Sequence, residues 1–264
     1  MDGMFWNIGR VQRALWGVRE AGMRIDARRY SDRRDVPLYT TKEVAVYLGL
    51  KPSTLHTWFF GRDYTIRGEK RHWPKLAEPA ATHNPHGPVL SFFNLAESHV
   101  LSATRLNCDF KISIPGIRAA IDYLLKLEPS PHPLISRYFE TNGCDLFIRL
   151  LEQSEEKIVN VSKGGQLGLK LIMDQFLKRI DRDAEGWPIK IYPMKVQGTD
   201  YRQIVIMPTV GSGRPVIEGT GVRVQAIWSR AVAGETVQDL SDDYGIEPST
   251  IERAIKYYSD TKAA

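Results

Sequence analysis

The chain has 264 residues, of which 42% are hydrophobic and 25% are charged, a composition typical of folded soluble proteins and unlike that of disordered or fibrous ones. The formal net charge of +5 favours an anionic partner, but the charge is uneven: residues 1–90 have 15 Lys and Arg against 9 Asp and Glu, and residues 211–264 have 6 against 8. Two cysteines are too few for a disulfide framework, and no secretory signal or apolar run of about 18 residues is found, so we expect a cytoplasmic protein without membrane spans.

The stretch YTTKEVAVYLGLKPSTLHTWFF, residues 39–60, predicts two short helices joined by a tight turn. Thr40 and Glu43 have the spacing of a capping box, Gly49 suits a left-handed helix end, and Pro52 suits the first turn of the second helix. This is the plan of a helix-turn-helix, whose second helix enters the DNA major groove. The second helix would bury Leu55, Trp58 and Phe59. Its candidate DNA contacts are Ser53, Thr54, His56 and Thr57.

The next stretch, GRDYTIRGEKRHW at residues 61–73, predicts a two-stranded wing, because alternating side chains flank an internal glycine. Basic wings contact the phosphate backbone of DNA. The candidate phosphate contacts are the basic residues of this stretch and the lysine that precedes Pro52: Lys51, Arg62, Arg67, Lys70 and Arg71.

Helices are predicted over LSFFNLAESHVLSATRL, IPGIRAAIDYLLKL and GQLGLKLIMDQFLKRI from their apolar spacing. The segment DLFIRLLEQSEEKIVNV, residues 145–161, has apolar clusters separated by charges, which suggests two strands or a strand and a short helix. The segments PIKIYPM and RQIVIMP are expected to form strands of a small sheet that links the two halves of the chain.

A second copy of the helix-turn-helix pattern occurs in ETVQDLSDDYGIEPSTIERAIKYY, residues 235–258. Thr236, Asp239, Gly245 and Pro248 repeat the cap, the turn and the helix start of the first copy at the same intervals. Its surroundings are acidic, with Asp242, Asp243, Glu247 and Glu252, and would repel phosphates. We therefore rank the first copy as the DNA reader, with Ser249, Thr250 and Arg253 as secondary candidates. For either copy, a helical hairpin that serves only packing is the alternative.

Other chemical motifs receive little support. Asp181, Asp183 and Gly186 resemble the start of a calcium loop, but Tyr192 stands where a bidentate Glu should fall, and a hairpin turn fits better. His83 and His86 have no carboxylate or thiolate at a usual partner distance. No nucleophile elbow or nucleotide-binding glycine motif is found, so we expect no enzyme, no metal and no cofactor.

The run GRPVIEGTGVRVQAIWSRAVAGETVQDLSDDYGIEPSTIERAIKYY, residues 213–258, resembles the family known as domain of unknown function 433. Many members carry Arg directly after the Gly-Thr pair, where this chain has Gly221. Residues 39–193 look like the MerR-type module that precedes this domain in VapB-like antitoxins, through LSFFNLAESHVLSATRL and HPLISRYFETNGCDLFI. This resemblance implies an antitoxin that binds a PIN-like ribonuclease toxin and represses its own operon as a dimer.

The expected fold class is mainly α with small β elements (α+β). A flexible extension (1–37) precedes a winged helix-turn-helix module (38–142), a small α+β linking region (143–204) and a C-terminal helix-turn-helix domain with a short β-hairpin arm (205–264). The expected function is a dimeric DNA-binding antitoxin whose partners are its own operator DNA and a PIN-like toxin. The alternatives are a protein-interaction module without specific DNA binding and a MerR-like regulator that responds to a ligand.

Overall fold

The computed structural model describes residues 32–81, 87–106, 113–155, 163–193 and 201–262. The described chain is mainly helical with three two-stranded antiparallel sheets, which confirms the expected α+β class. Most of the 1–37 extension, together with His83, His86 and Cys108, lies outside the described residues.

The first helix-turn-helix consists of α1 (Thr41–Leu48) and α2 (Pro52–Phe60). The capping box forms as predicted: the Thr40 backbone N–H donates to the Glu43 carboxylate at 2.8 Å, and the Glu43 N–H donates to the Thr40 hydroxyl at 3.2 Å. Gly49 ends α1 in the left-handed conformation, with φ of 65°. The predicted inward face of α2 is confirmed, since Leu55, Trp58 and Phe59 are all buried.

The wing is also confirmed, as a hairpin of β1 (Arg62–Ile66) and β2 (Glu69–Trp73). Its two-residue turn is Arg67-Gly68, and both residues have positive φ, 51° and 85°, which matches the twist of the flanking strands. Gly61 joins α2 to β1 with φ of 74°, and a Cβ there would lie 2.5 Å from the Trp73 carbonyl oxygen. Only glycine therefore lets the wing start so close to α2.

Four longer helices build the centre of the molecule: α3 (Phe92–Leu106), α4 (Ile114–Leu127), α5 (Cys144–Glu155) and α6 (Lys163–Leu177). Every residue of the central helix α3 is buried as far as Thr104.

The expectation of strands in 145–161 is wrong for 145–155, which is helical. Phe147, Ile148 and Leu151 all lie in the core, and their spacing is that of one helix face rather than of alternating strand positions.

Short strands follow the helices. β3 (Ile180–Arg182) pairs with β4 (Pro188–Ile191), and β5 (Ile204–Val205) pairs with β6 (Val216–Ile217). A bridge between Ile191 and Ile206 connects the two pairs, so the expected linking strands are present. The 183–187 turn closes the β3–β4 hairpin, since the Trp187 N–H donates to the Asp183 carboxylate at 2.7 Å.

The C-terminal part contains α7 (Val224–Val232), α8 (Val237–Tyr244) and α9 (Pro248–Lys262). The second helix-turn-helix, α8 and α9, repeats the capping box through Thr236 and Asp239 and the left-handed Gly245 with φ of 64°, as the sequence repeat predicts.

Buried apolar residues form two clusters. One runs from Tyr39 to Ile206, across the predicted 38–142 and 143–204 units, and the other runs from Tyr201 to Tyr257.

Candidate nucleic-acid interface

The outer face of α2 is polar and accessible. Ser53 and His56 are exposed, whereas Thr54 and Thr57 are half-buried. The Thr57 hydroxyl donates to the Ser53 carbonyl at 2.9 Å within the helix, which leaves its oxygen lone pairs free to accept. The His56 ring lies 5.0 Å from the Phe60 ring, which supports its side chain from below. The structure thus brings the four α2 candidates onto one helix, with Ser53 and His56 the most open.

The basic residues of the wing do not form one patch. Directly opposed residues of an antiparallel pair share a face, and the register pairs Arg62 with Trp73 and Tyr64 with Arg71. Arg62 and Arg71 therefore lie on one face with two aromatic rings, whose centroids are 4.6 Å apart.

Lys70 is opposite Thr65 on the other face of the wing, and Arg67 stands at its tip. All the basic candidates, including Lys51 at the start of α2, are exposed. Sequence reasoning treated them as one set, whereas the hairpin register divides them between two faces and a tip.

Acidic side chains partly offset the wing charge. The Glu69 carboxylate lies 3.3 Å from Arg71, and the Asp63 carboxylate lies 2.7 Å from His72. All four side chains are more than half exposed, so these contacts contribute little to stability and can open easily. Arg71 can exchange Glu69 for a phosphate without a large energetic cost.

The second helix-turn-helix presents different surroundings. Ser249 and Arg253 are exposed on α9, and Thr250 is half-buried. Thr250 lines a shallow hollow together with Arg202, Glu218 and Glu247. The sequence-predicted acidic neighbours are all exposed: Asp242, Asp243, Glu247 and Glu252. A phosphate approaching this unit would meet exposed carboxylates on both α8 and α9, of which Asp243 is paired with Arg230.

The two helix-turn-helix units contact each other through residues that sequence reasoning missed. Tyr257 of α9 is fully buried, and its hydroxyl donates to the Tyr47 carbonyl oxygen of α1 at 3.0 Å. Arg214 lies 2.9 Å from the Glu43 carboxylate and places its guanidinium over the Tyr39 ring. Tyr39 in turn donates to the Gly213 carbonyl at 2.9 Å. The segment before β6 and the end of α9 therefore hold α1, which leaves α2 and the wing open.

A buried charge cluster lies on another side of the fold. His132 lies 3.2 Å from Asp35 and 3.1 Å from Glu97, and all three residues are buried. Burial lowers the pKa of His132, but the two carboxylates outweigh this effect and raise the pKa to about 9. The imidazolium thus ties residues 33–36 to α3. No sequence motif signals this cluster, because its members lie far apart along the chain.

The described residues include no group of three or more His, Cys, Asp or Glu side chains arranged to hold a metal ion. Within the same described ranges, none of the helices has the length and apolar content needed to span a membrane.

Two family models match the chain: residues 204–258 match "Protein of unknown function (DUF433)", and residues 37–121 match "Putative DNA-binding HTH domain". The chain is 31% identical over 237 residues to "Putative antitoxin VapB45" of Mycobacterium tuberculosis (strain ATCC 25618 / H37Rv), an alignment that spans 84% of this chain and 94% of that protein. The chain belongs to the VapB45 family. It is also 29% identical over 230 residues to "Uncharacterized protein Rv2308" of the same organism, across 84% of this chain and 90% of that one.

A solved structure has a similar fold. The crystal structure of Rv2018 from Mycobacterium tuberculosis superposes with a TM-score of 0.61 at 26% identity, over 85% of this chain and all of that one. The expected resemblance to domain of unknown function 433 is confirmed. The N-terminal module is confirmed as a helix-turn-helix domain, and its MerR type stays a prediction. The helix-turn-helix model, residues 37–121, covers the candidate DNA contacts on α2 and the wing of this VapB45-family chain. The DUF433 model, residues 204–258, covers Ser249, Thr250 and Arg253.

Proposed function

We propose that this protein is a DNA-binding antitoxin that recognises its own operator through α2 and the wing. One observation carries the proposal: the polar outer face of α2 and the basic side chains of the adjoining hairpin are exposed together, while the opposite side of this unit is packed on the rest of the chain. The helix-turn-helix family match and the kinship with VapB45 support it.

In this proposal α2 lies in the major groove. Ser53, His56 and Thr57 approach base edges, and Thr54 lies at the rim of the contact. The phosphate contacts are Lys51, Arg62, Arg67, Lys70 and Arg71. Because Lys70 faces away from Arg62 and Arg71, the wing would touch phosphates on both of its sides, as a hairpin inserted along the backbone does.

The finer assignments rest on the resemblance to VapB-like antitoxins. We propose that the protein acts in the cytoplasm as a non-enzymatic repressor of its own operon, that it binds a PIN-like ribonuclease toxin, and that residues 205–264 form the homodimer. The exposed carboxylates of α8 and α9 suit a basic toxin surface, such as one that binds RNA. A palindromic operator would match the two-fold symmetry of the dimer. Ser249, Thr250 and Arg253 remain secondary DNA contacts.

The experiment is fluorescence anisotropy of the full chain on its own upstream DNA and on a scrambled duplex, across a salt series. The proposal predicts preference for the upstream DNA, together with an affinity that falls steeply with salt as phosphate contacts are screened. Equal and weak binding to both duplexes at low salt would contradict it.

A protein-interaction module without specific DNA binding is the second candidate, because the second helix-turn-helix exposes four carboxylates. Under that function the chain would co-purify with the product of the neighbouring gene, show no preference between the two duplexes, and lose the protein partner when Asp242 and Asp243 are changed to Lys.

A further inference from the structure

We infer that Asn94 and Arg118 are positioning residues for DNA recognition, because they hold the segment that fixes the wing to α2. This segment, residues 76–80, lies just after the wing, and we call it the return segment. The inference rests on the proposed function and deepens it, since it names two residues outside the interface that set the angle between the recognition helix and its basic hairpin.

The wing has little packing of its own. In the described strands β1 and β2, no residue is buried. The wing begins directly after α2, and beyond its other end the N–H groups of Leu76 and Ala77 both donate to the Trp58 carbonyl of α2, at 2.6 Å and 3.2 Å. Both ends of the wing thus meet the last turn of α2. The angle of the wing against α2 therefore depends on how firmly the return segment is held.

Two side chains from the central helices hold the return segment. Asn94 of α3 is fully buried and contacts the segment twice: its Nδ2 donates to the Glu78 carbonyl at 2.9 Å, and the Ala80 N–H donates to its Oδ1 at 2.9 Å. Arg118 of α4 holds an earlier point, since its Nη1 donates to the Leu76 carbonyl at 3.2 Å. Leu76 thus joins the two sides, with its N–H on α2 and its carbonyl on α4.

The hydrogen bonds at position 94 require an amide. Oδ1 also accepts from the Ser91 N–H at 3.1 Å, and Nδ2 also donates to the Glu97 carboxylate at 3.3 Å. The Asn94 side chain therefore accepts two hydrogen bonds and donates two, which neither a carboxylate nor an apolar side chain can do. A shift of the return segment would leave buried polar groups without partners, which is costly. Asn94 thus holds the segment in one place.

The two parts of the proposed interface should respond differently when this support is lost. The outer face of α2 is fixed by the burial of Leu55 and Phe59 in the core, whereas the wing is fixed through the return segment. Phosphate contacts position a protein on DNA, and base contacts specify the sequence. A released wing should therefore lose phosphate contacts, while the preference for the upstream DNA over a scrambled duplex remains.

The first test is Arg118→Met, which keeps the aliphatic stem and removes the donor to the Leu76 carbonyl. In anisotropy on the upstream DNA, the slope of log affinity against log salt should fall by about one for each phosphate contact that the wing loses. Arg149→Met is the matched control, because it removes the same charge from an exposed position where Nε donates to the Asp145 carbonyl within α5. Equal slopes for the two variants would overturn the inference.

Asn94→Ala separates positioning from direct contact, because the fully buried Asn94 side chain cannot touch DNA. This variant should reduce the salt slope as Arg118→Met does and should keep the preference between the duplexes. Ser102→Ala is its control, since it removes an equally buried side chain of α3 whose hydroxyl donates to the Ser98 carbonyl at 2.7 Å, and it should leave the slope unchanged. A wild-type slope in folded Asn94→Ala would contradict the inference, and if this variant does not fold, Arg118→Met decides.

Hydrogen exchange without DNA tests the anchoring itself. The amides of Leu76 and Ala77 should exchange roughly tenfold faster in Arg118→Met than in the wild type, because their bonds to the Trp58 carbonyl open more often once the return segment is released. Arg149→Met should show wild-type rates. Unchanged protection of both amides in Arg118→Met would overturn the inference.

Failure of this inference and failure of the proposed function are distinguishable. A wild-type chain that prefers neither duplex would contradict the DNA-binding proposal and with it the role in recognition, while faster exchange in Arg118→Met would still uphold the anchoring of the wing. A wild-type chain that prefers the upstream DNA, together with unchanged salt slopes in Arg118→Met and Asn94→Ala, would uphold the proposed function and overturn the role of these two residues.

Discussion

The hydroxyl of Tyr257 donates a hydrogen bond of 3.0 Å to the backbone carbonyl of Tyr47, 210 residues earlier in the chain. This contact fixes the end of the second helix of one helix-turn-helix on the first helix of the other. Burial raises the pKa of Tyr257 well above its usual value, so the hydroxyl stays protonated and donates throughout the physiological range. The C-terminal half of α9 is therefore committed to packing, whereas Ser53 and His56 on the outer face of α2 are exposed.

Tyr257→Phe should lower the free energy of unfolding by about 1 kcal/mol, because it removes this hydrogen bond and leaves the ring packing in place. Urea unfolding of the full chain measures the change. Tyr123→Phe, which alters an exposed tyrosine of α4, should be neutral. Equal effects of the two substitutions would mean that the Tyr257 contact does not join the units.

Gly61→Ala should displace the wing and destabilise the protein by about 2 kcal/mol or more, since its Cβ would overlap the Trp73 carbonyl oxygen and its φ is left-handed. Gly219→Ala is the matched control, with φ of 77° and open space around the Cβ, and should cost about 1 kcal/mol from backbone strain alone. Thermal unfolding and DNA affinity check both variants. Unchanged DNA affinity of the Gly61→Ala variant would contradict the role of Gly61 in placing the wing.

The Arg214–Glu43 ion pair should show a coupling free energy of about 1 kcal/mol in a double-mutant cycle with Arg214→Met and Glu43→Gln, because both side chains are about two-thirds buried. Glu43→Gln keeps an oxygen that can accept from the Thr40 N–H. The comparison pair is Lys75–Glu78, which is more exposed and should couple more weakly. The opposite ranking of the two cycles would show that Arg214 does not anchor α1.

Stability should fall as the pH rises from about 6.5 to about 9. The pKa of His132 is raised in the folded state to about 9, so its contribution is fully present below the ordinary histidine pKa of about 6.5 and is lost as the pH passes through 9. The loss should reach a few kcal/mol at most. His99 should lower the stability at acid pH. Burial lowers the pKa of His99 to about 3, so the stabilisation from its neutral form is lost as the pH falls from about 6.5 towards 3.

Urea unfolding at pH 6.5 and pH 9 measures this slope. His132→Gln should flatten it, because a neutral side chain cannot release a proton between the two pH values. The same slope in wild type and His132→Gln would show that other groups set the alkaline dependence.

The elements that were predicted correctly have local chemical causes. A capping Thr, a Glu or Asp three residues later, a left-handed glycine and a helix-starting proline determine both helix-turn-helix units within about a dozen residues each. The wing follows from its turn, where Arg67-Gly68 closes the strands. Local propensity and local hydrogen bonding agree at these places, so the sequence alone suffices.

What could not be predicted depends on contacts between distant residues. The apolar clusters of 145–161, separated by charges, suggested two strands or a strand and a short helix, but burial against other helices selects a single helix over 145–155. Tyr47 and Tyr257, or Asp35 and His132, meet only after the whole chain has folded. The division of Arg62, Arg71 and Lys70 between two faces needs the register of the hairpin, which composition does not give.

The most direct test of the central claim compares charge reversals at the two helix-turn-helix units. Arg67→Glu and Arg71→Glu change the wing, and Arg253→Glu changes a position on α9 that is also exposed. Anisotropy on the upstream DNA should show that each wing reversal weakens binding by tenfold or more, a loss of about 1.4 kcal/mol, while Arg253→Glu has a small effect. Stronger loss from Arg253→Glu than from the wing variants would contradict the assignment of α2 and the wing as the DNA reader.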